Sequence, residues 1–127
     1  MTVMKVTEVA GVALSTNQTG SVPSTNIADR ADKSVGPALL TIVTTIGATP
    51  TVTIDIQVSA DGVDWWNVPY ADIATPGTVA VAALVVTTAT TLRKIIQSQI
   101  PYRYLRLNYS ANTNVTITAT LFAFGNA

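Results

Sequence analysis

Apolar and polar residues alternate most regularly in residues 51–59, where every second residue is aliphatic and the positions between them are polar. The aliphatic set is Val52, Ile54, Ile56 and Val58. A period of two places one set on each face, which is typical of a half-buried β-strand. Residues 60–62, Ala-Asp-Gly, then supply turn residues before a second β-prone run, residues 63–68. The pattern predicts a hairpin with a short glycine-containing loop.

Similar β-prone runs follow one another through the rest of the chain. Residues 35–46 are partly apolar on both faces, as in a strand near the middle of a sheet, and residues 47–50 predict a turn out of it. A loop is predicted at residues 69–77 and a hairpin turn at residues 110–114. The remaining predicted strands cover residues 78–88, 91–100, 102–109 and 115–124. Without a strong amphipathic helix, these segments predict an all-β protein, an antiparallel β-sandwich of jelly-roll or Greek-key type.

The first 34 residues differ from the rest. β-branched residues and Gly11 disfavour a helix there, and residues 15–34 are rich in Ser, Thr, Asn and Gly. We therefore expect an extended arm or an edge strand. The predicted domains are an extended N-terminal arm, residues 1–34, and a β-sandwich domain, residues 35–127.

The composition excludes several kinds of catalytic and metal-binding group. The 127-residue chain has no cysteine and no histidine, so it lacks thiolates and the commonest general base and metal ligand. We expect no enzyme activity and no cofactor. Net charge is zero and only 11% of residues are charged, against about a quarter in most soluble domains. Sparse charge gives little protection against self-association, so we expect copies of the chain or a partner to cover part of the surface.

Membrane insertion and export are not expected. No apolar stretch reaches the length of a spanning helix. The apolar run at residues 9–14 is too short for a secretory signal, and Glu8 precedes it.

Asp61 and Asp64, in the run Asp-Gly-Val-Asp, are the candidates for a metal site. Two carboxylates could bind calcium, but the other ligand positions of a calcium loop are missing. Because Asp-Gly is a common hairpin pair, a turn is the favoured interpretation, and no metal is expected.

Trp65 and Trp66 should point to opposite faces of a regular strand, one into the core and the other to solvent or an interface. An exposed tryptophan can stack on a sugar or anchor a protein contact. A structural role for both is an equal alternative.

Basic residues collect in the C-terminal part, whereas all seven acidic residues lie between Glu8 and Asp72. Two opposite patches would suit docking between subunits, unless the fold mixes the charges in space. Tyrosines among the basic residues resemble a nucleic-acid surface, but the neutral net charge argues against nucleic acid as a partner. The candidate interface residues are Trp65, Trp66, Tyr70, Arg93, Lys94, Arg103 and Arg106.

Several of these features together resemble small virion proteins of tailed bacteriophages, among them capsid decoration (cement) proteins. They are the Ser/Thr-rich arm, the strand Thr-Val-Thr-Ile-Asp-Ile-Gln-Val at residues 51–58, the run Ser-Ala-Asp-Gly at residues 59–62 with Trp65 or Trp66, and Pro-Tyr-Arg-Tyr-Leu-Arg-Leu at residues 101–107. The resemblance spans most of residues 20–124.

The resemblance implies a non-enzymatic virion protein on the capsid surface. Its partners would be the major capsid protein, whose neighbouring subunits it bridges, and itself, often as a homotrimer. Part of the pattern also resembles discoidin-type carbohydrate-binding sandwiches, although this chain is shorter and lacks the cysteine pair of many of them. A carbohydrate module, with Trp66 or Tyr70 as its platform, and a phage tail or fibre protein are the alternatives.

Overall fold

A computed structural model describes residues 4–14, 28–29, 35–96 and 102–126. Within these ranges the regular structure consists of strands alone. They are β1 (Met4–Leu14), β2 (Ala28–Asp29), β3 (Val35–Ser59), β4 (Trp66–Asn67), β5 (Tyr70–Asp72), β6 (Val79–Ala80), β7 (Leu84–Val86), β8 (Thr90–Ile96) and β9 (Tyr104–Asn126). The prediction of an all-β antiparallel protein is confirmed.

The strands form one nine-stranded sheet in the order β1-β9-β3-β8-β5-β6. In addition, β2 pairs with β9, while β4 and β7 pair with β3. Every pair is antiparallel. The two long strands, β3 with 25 residues and β9 with 23, pair with each other, and β5 and β6 continue the sheet beyond β8.

Alternation along β3 and β9 builds the core, as the sequence predicts. The aliphatic side chains of residues 52–58 are buried, and so are Leu105 and Leu107. On the last predicted strand, the buried set is Val115, Ile117, Ala119 and Leu121. One hydrophobic cluster contains these residues together with Leu40 and Ile42 from the first part of β3. Ser59, expected on the polar face, is fully buried because its hydroxyl is used inside the following turn.

The two turns predicted at residues 47–50 and 110–114 are wrong as chain reversals. Each segment is a bend inside a continuous strand, and the register shifts between Ile46 and Thr51, opposite Val115 and Thr113. The backbone in these segments still has turn-like geometry, because Thr49, Ala111 and Asn114 have positive φ angles of 43°, 52° and 55°. The two strands bend at the same level and stay paired on both sides of it.

Side-chain hydrogen bonds hold this bend. Buried Asn112 accepts from the Val115 N–H at 3.2 Å and donates to the Val115 carbonyl at 3.1 Å. Asn114 donates from Nδ2 to the Ala48 carbonyl at 2.6 Å, which joins β9 to β3. Local polar bonds of this kind satisfy backbone groups that the interrupted ladder leaves open.

The segment between β4 and β8 is more broken than predicted. The predicted loop contains β5, and the predicted strand at residues 78–88 consists of β6 and β7 with residues 81–83 between them. The Tyr70 hydroxyl donates to the Ala82 carbonyl at 2.8 Å, so a side chain replaces ladder bonding at this break.

Part of the predicted N-terminal arm is paired with the sheet. β1 is an edge strand that pairs with β9 from Met4↔Asn126 to Leu14↔Ile117. The rest of the predicted arm lies outside the described residues, apart from β2. The end of the strand predicted at residues 91–100 also lies outside the described residues, and β8 (Thr90–Ile96) covers its first part.

Candidate functional site

The Asp-Gly run is a self-contained turn. Asp61 Oδ1 accepts hydrogen bonds from the N–H groups of Val63 at 2.8 Å and Asp64 at 3.0 Å, and from the Ser59 hydroxyl at 3.0 Å. The Ser59 hydroxyl in turn accepts from the Gly62 N–H at 2.8 Å. Gly62 adopts a φ of 82°, which favours glycine.

These bonds explain the electrostatics of Asp61. The backbone N–H groups of Asp64 and Val63, followed by the Ser59 hydroxyl, hold the pKa of the Asp61 carboxyl below its ordinary value. The turn interpretation is confirmed, since the carboxylate is engaged by the loop itself. In the described part of the chain, no group of three or more His, Cys, Asp or Glu is placed to hold a metal ion.

Trp65 and Arg106 meet on the outer side of the β4-β3-β9 sheet. The Arg106 guanidinium lies 4.1 Å from the centroid of the Trp65 ring, within cation–π range. Its Nε donates to Gln57 Oε1 at 2.9 Å, and Gln57 Nε2 donates to Asn67 Oδ1 at 3.0 Å. Partial burial lowers the pKa of Arg106, which still stays cationic at neutral pH. We call these four residues the polar row.

Trp66 is 56% exposed, and Trp65 is half-buried against Arg106. Neither belongs to the hydrophobic core, so the prediction that one of them fills the core is wrong. The reason is that β4 is two residues long and lies at the margin of the sheet beside the end of β3. Trp66 is therefore the exposed one of the two tryptophans, which the sequence alone does not determine.

Two of the candidate interface residues lie inside the fold. Tyr70 and Lys94 are each 8% exposed. Lys94 Nζ lies 2.8 Å from Asp72 Oδ2 and 5.6 Å from the centroid of the Tyr70 ring. The hydrogen bond from Lys94 holds the pKa of Asp72 below its ordinary value. This ion pair joins β5 to β8 and mixes the acidic and basic parts of the chain in space.

The two remaining basic residues are exposed and lie apart. Arg93 is in β8, paired with Thr41. Arg103 lies with its guanidinium 5.0 Å from the centroid of the Tyr104 ring, beside the turn at Gly62. The seven candidate residues thus occupy several places instead of forming one surface.

A broad face rich in threonine lies on the outer side of β8, β3 and β9, with exposed Arg93 beside Thr41 on the same side. Cross-strand neighbours follow one another in rows, Thr91 with Val43 and Thr118, and Thr41 with Thr120. Val43 is 42% exposed and Thr118 is exposed. We call it the threonine face, made of Thr41, Val43, Thr45, Thr91, Thr116, Thr118 and Thr120. Sequence reasoning saw its threonines as the outer side of single strands but did not combine them.

Four aliphatic side chains are also exposed. Ile73 is 47% exposed, Val79 44%, Val81 57% and Val85 67%. Val79 lies in β6, which pairs with β5, whereas Val85 lies in β7, which pairs with β3, so these side chains are exposed on different strands. The alternation of Val79, Val81 and Val85 was a visible signal, but it did not reveal that the valines face solvent.

Compared with protein-family models, curated proteins and solved structures, the chain has no match. No helix in the described ranges is long and apolar enough to span a membrane. Function is therefore inferred from the exposed side chains of the structure.

Proposed function

We propose that this protein is a structural virion component, a capsid decoration (cement) protein. It binds the outer surface of the phage head and stabilises contacts between major capsid protein subunits. The observation that carries the proposal is the threonine face, a broad surface of threonine and valine side chains on three paired strands, with Arg93 as its charged neighbour on β8.

The physical case rests on how such a face binds. Threonine packs through its methyl group and keeps a hydroxyl that can donate and accept. Covering the threonine residues therefore desolvates hydroxyl groups and not ions, and Arg93 beside Thr41 is long enough to keep its charge at the margin of the contact. Each contact is modest, but symmetry on a shell repeats it many times, and the low charge makes binding insensitive to salt.

The fold belongs to the same proposal. An antiparallel sandwich of jelly-roll type is part of the proposal, and it is supported by the single cluster that contains residues before and after the bend of β3. The molecule acts as a homotrimer. The part of the N-terminal segment that forms β1 pairs with β9 of the same chain and passes beside the threonine face at Ala13↔Thr118, so it lies next to the surface proposed to bind.

The test is a binding titration on parent capsids stripped of their minor proteins. The wild-type protein should saturate at a fixed ratio to the shell subunits. Thr118→Lys places a charge in the threonine face and should weaken binding by at least about tenfold. Val63→Lys is the matched control, because Val63 is 77% exposed on the turn after β3. Absence of wild-type binding, or equal binding by Thr118→Lys, would contradict the proposal.

A carbohydrate-binding function is the second candidate, favoured by the ring of Trp66 in β4, which is 56% exposed. An exposed tryptophan ring can stack on a sugar. A glycan array with wild-type protein and Trp66→Ala tests sugar binding, since a sugar site requires a signal that the substitution removes.

Immunogold labelling of virions separates a head location from a tail or fibre location.

A further inference from the structure

We infer that the polar row binds a sugar that carries a carboxylate group, as a uronic acid does. The inference goes beyond the proposed capsid role and does not rest on it, because the polar row and the threonine face share no residue. The site is also separate from the Trp66 ring, since Trp66 and Asn67 follow one another in β4 and point to opposite sides of the sheet.

The hydrogen bonds within the polar row run in one direction. A guanidinium can only donate, so Gln57 turns its carbonyl oxygen toward Arg106 Nε, which lies 2.9 Å away. The Gln57 amide nitrogen then donates to Asn67 Oδ1 at 3.0 Å, and the Asn67 Nδ2 group is left with two N–H donors. Both carbonyl oxygens of the row are thus engaged inside it, so the row presents mainly donors to a ligand.

The Arg106 guanidinium is held in place without a counter-ion. Gln57 holds its Nε, and the centroid of the Trp65 ring lies 4.1 Å away. Among the described residues, no group accepts a hydrogen bond from its terminal Nη atoms and no carboxylate forms an ion pair with it. Lys94, by contrast, has Asp72 at 2.8 Å. A partly desolvated cation that is fixed in this way is prepared for an anionic partner.

The shape and charge of the site select the kind of anion. Two terminal nitrogens of a guanidinium match two oxygens of a carboxylate or a phosphate. Asp55 lies on the same side of β3, two residues before Gln57, and repels a doubly charged phosphate more than a singly charged carboxylate. The site therefore favours a carboxylate.

The size of the site selects a small ligand. The row crosses three adjacent strands, so the backbones at Asn67 and Arg106 stand about 10 Å apart. That is far less than the roughly 800 Å² that each partner of a stable protein interface buries. A sugar acid brings a carboxylate for the guanidinium and hydroxyl oxygens for the Asn67 amide on one small ring.

The experiment is a titration of the full chain with methyl glucuronide and with methyl glucoside, which lacks the carboxylate, followed by NMR shifts. The glucuronide should bind at least about tenfold more tightly. Arg106→Lys keeps the charge but loses the planar fork, and it should weaken glucuronide binding by at least about tenfold. Arg93→Lys is the matched control at an exposed arginine outside the row and should bind like the wild type. Asn67→Asp, which keeps the oxygen that accepts from Gln57 and removes the donors, should also weaken binding and gives a second reading should Arg106→Lys not fold.

Equal affinity for methyl glucuronide and sodium acetate would overturn the inference, because a carboxylate alone, such as an acidic side chain of a protein, would then be enough. Absence of glucuronide binding up to about 10 mM, or Arg106→Lys that binds like the wild type, would overturn it as well. Loss of binding in Trp66→Ala but not in Arg106→Lys would place the sugar on the Trp66 ring instead. Failure of the proposed function looks different. It would appear as a protein that binds methyl glucuronide but ignores stripped capsids.

Discussion

Removing the hydroxyl of Tyr109 is expected to stabilise the protein. Tyr109 is 2% exposed and belongs to the hydrophobic core. Its hydroxyl is buried and has no hydrogen-bond partner among the described groups. A buried hydroxyl without a partner loses its hydration and gains nothing in return.

The magnitude follows from that lost hydration. Mutational series put the penalty of an unsatisfied buried polar group at about 1–3 kcal/mol, and the small space left by the oxygen offsets part of the gain. We expect Tyr109→Phe to raise the free energy of unfolding by about 1–2 kcal/mol, equivalent to about 3–6 °C in Tm.

Tyr70→Phe is the matched control. The Tyr70 ring is also buried, but its hydroxyl donates to the Ala82 carbonyl at 2.8 Å. Removing that hydrogen bond should lower the free energy of unfolding by about 0.5–1.5 kcal/mol. The same chemical change thus has opposite signs at the two sites.

Urea unfolding followed by tryptophan fluorescence and circular dichroism measures both variants, with equal m-values as the condition for comparing them. The reasoning is refuted if Tyr109→Phe destabilises the protein by about as much as Tyr70→Phe does. That result would mean that the Tyr109 hydroxyl has a partner in solution, such as a buried water.

The stability of the protein at alkaline pH tests the Tyr109 hydroxyl in a second way. Burial raises the pKa of the Tyr109 phenol well above its ordinary value of 10.0. A group with a raised folded-state pKa contributes stability below its unfolded pKa and loses it as the pH rises beyond that value. Stability should therefore fall above about pH 10, and Tyr109→Phe should reduce that fall.

The remaining predictions concern the bend, the ion pair and the turn. Asn112→Ala should lower the free energy of unfolding by about 2–3 kcal/mol in urea, because both backbone groups of buried Val115 lose their partner; a loss within error would show that the bend does not need this side chain. Lys94 holds the pKa of Asp72 below its ordinary value of 3.8, so the pair stabilises the fold above that pH and the effect is lost as pH falls through it. Asp72→Asn should flatten that acid limb in a series of melts, and an unchanged limb would show that the pair is not responsible. Gly62→Ala should cost about 1 kcal/mol, because the φ of 82° disfavours a side chain, and unchanged melting would contradict the strain.

Periodicity made much of the fold predictable. The period of two in the sequence predicted the buried side of β3 and β9 correctly, because alternation is a direct consequence of strand geometry. It could not predict how far each strand continues. Gly47 to Pro50, and Ser110 to Asn114, have turn composition, yet the chain bends there without reversing. Positive φ angles serve a bend as well as a turn, and only the pairing partner decides between them.

The surfaces were harder to predict, because they depend on which strands become neighbours. Lys94 and Tyr70 are polar enough to suggest an interface, but pairing of β5 with β8 buries both beside Asp72. Val85 is apolar enough to suggest the core, yet it faces solvent. The threonine face requires the register of three strands that are distant in sequence. Residue type alone does not carry that information.

Comparing virions with and without this gene product tests the central proposal most directly. The composition and heat resistance of purified particles are measured with the gene intact, with it deleted, and with the deleted particles resupplied with pure protein. The account predicts that deletion removes a 13.3 kDa component and weakens the shell, and that added protein restores both. Particles with unchanged composition and stability after deletion would contradict it.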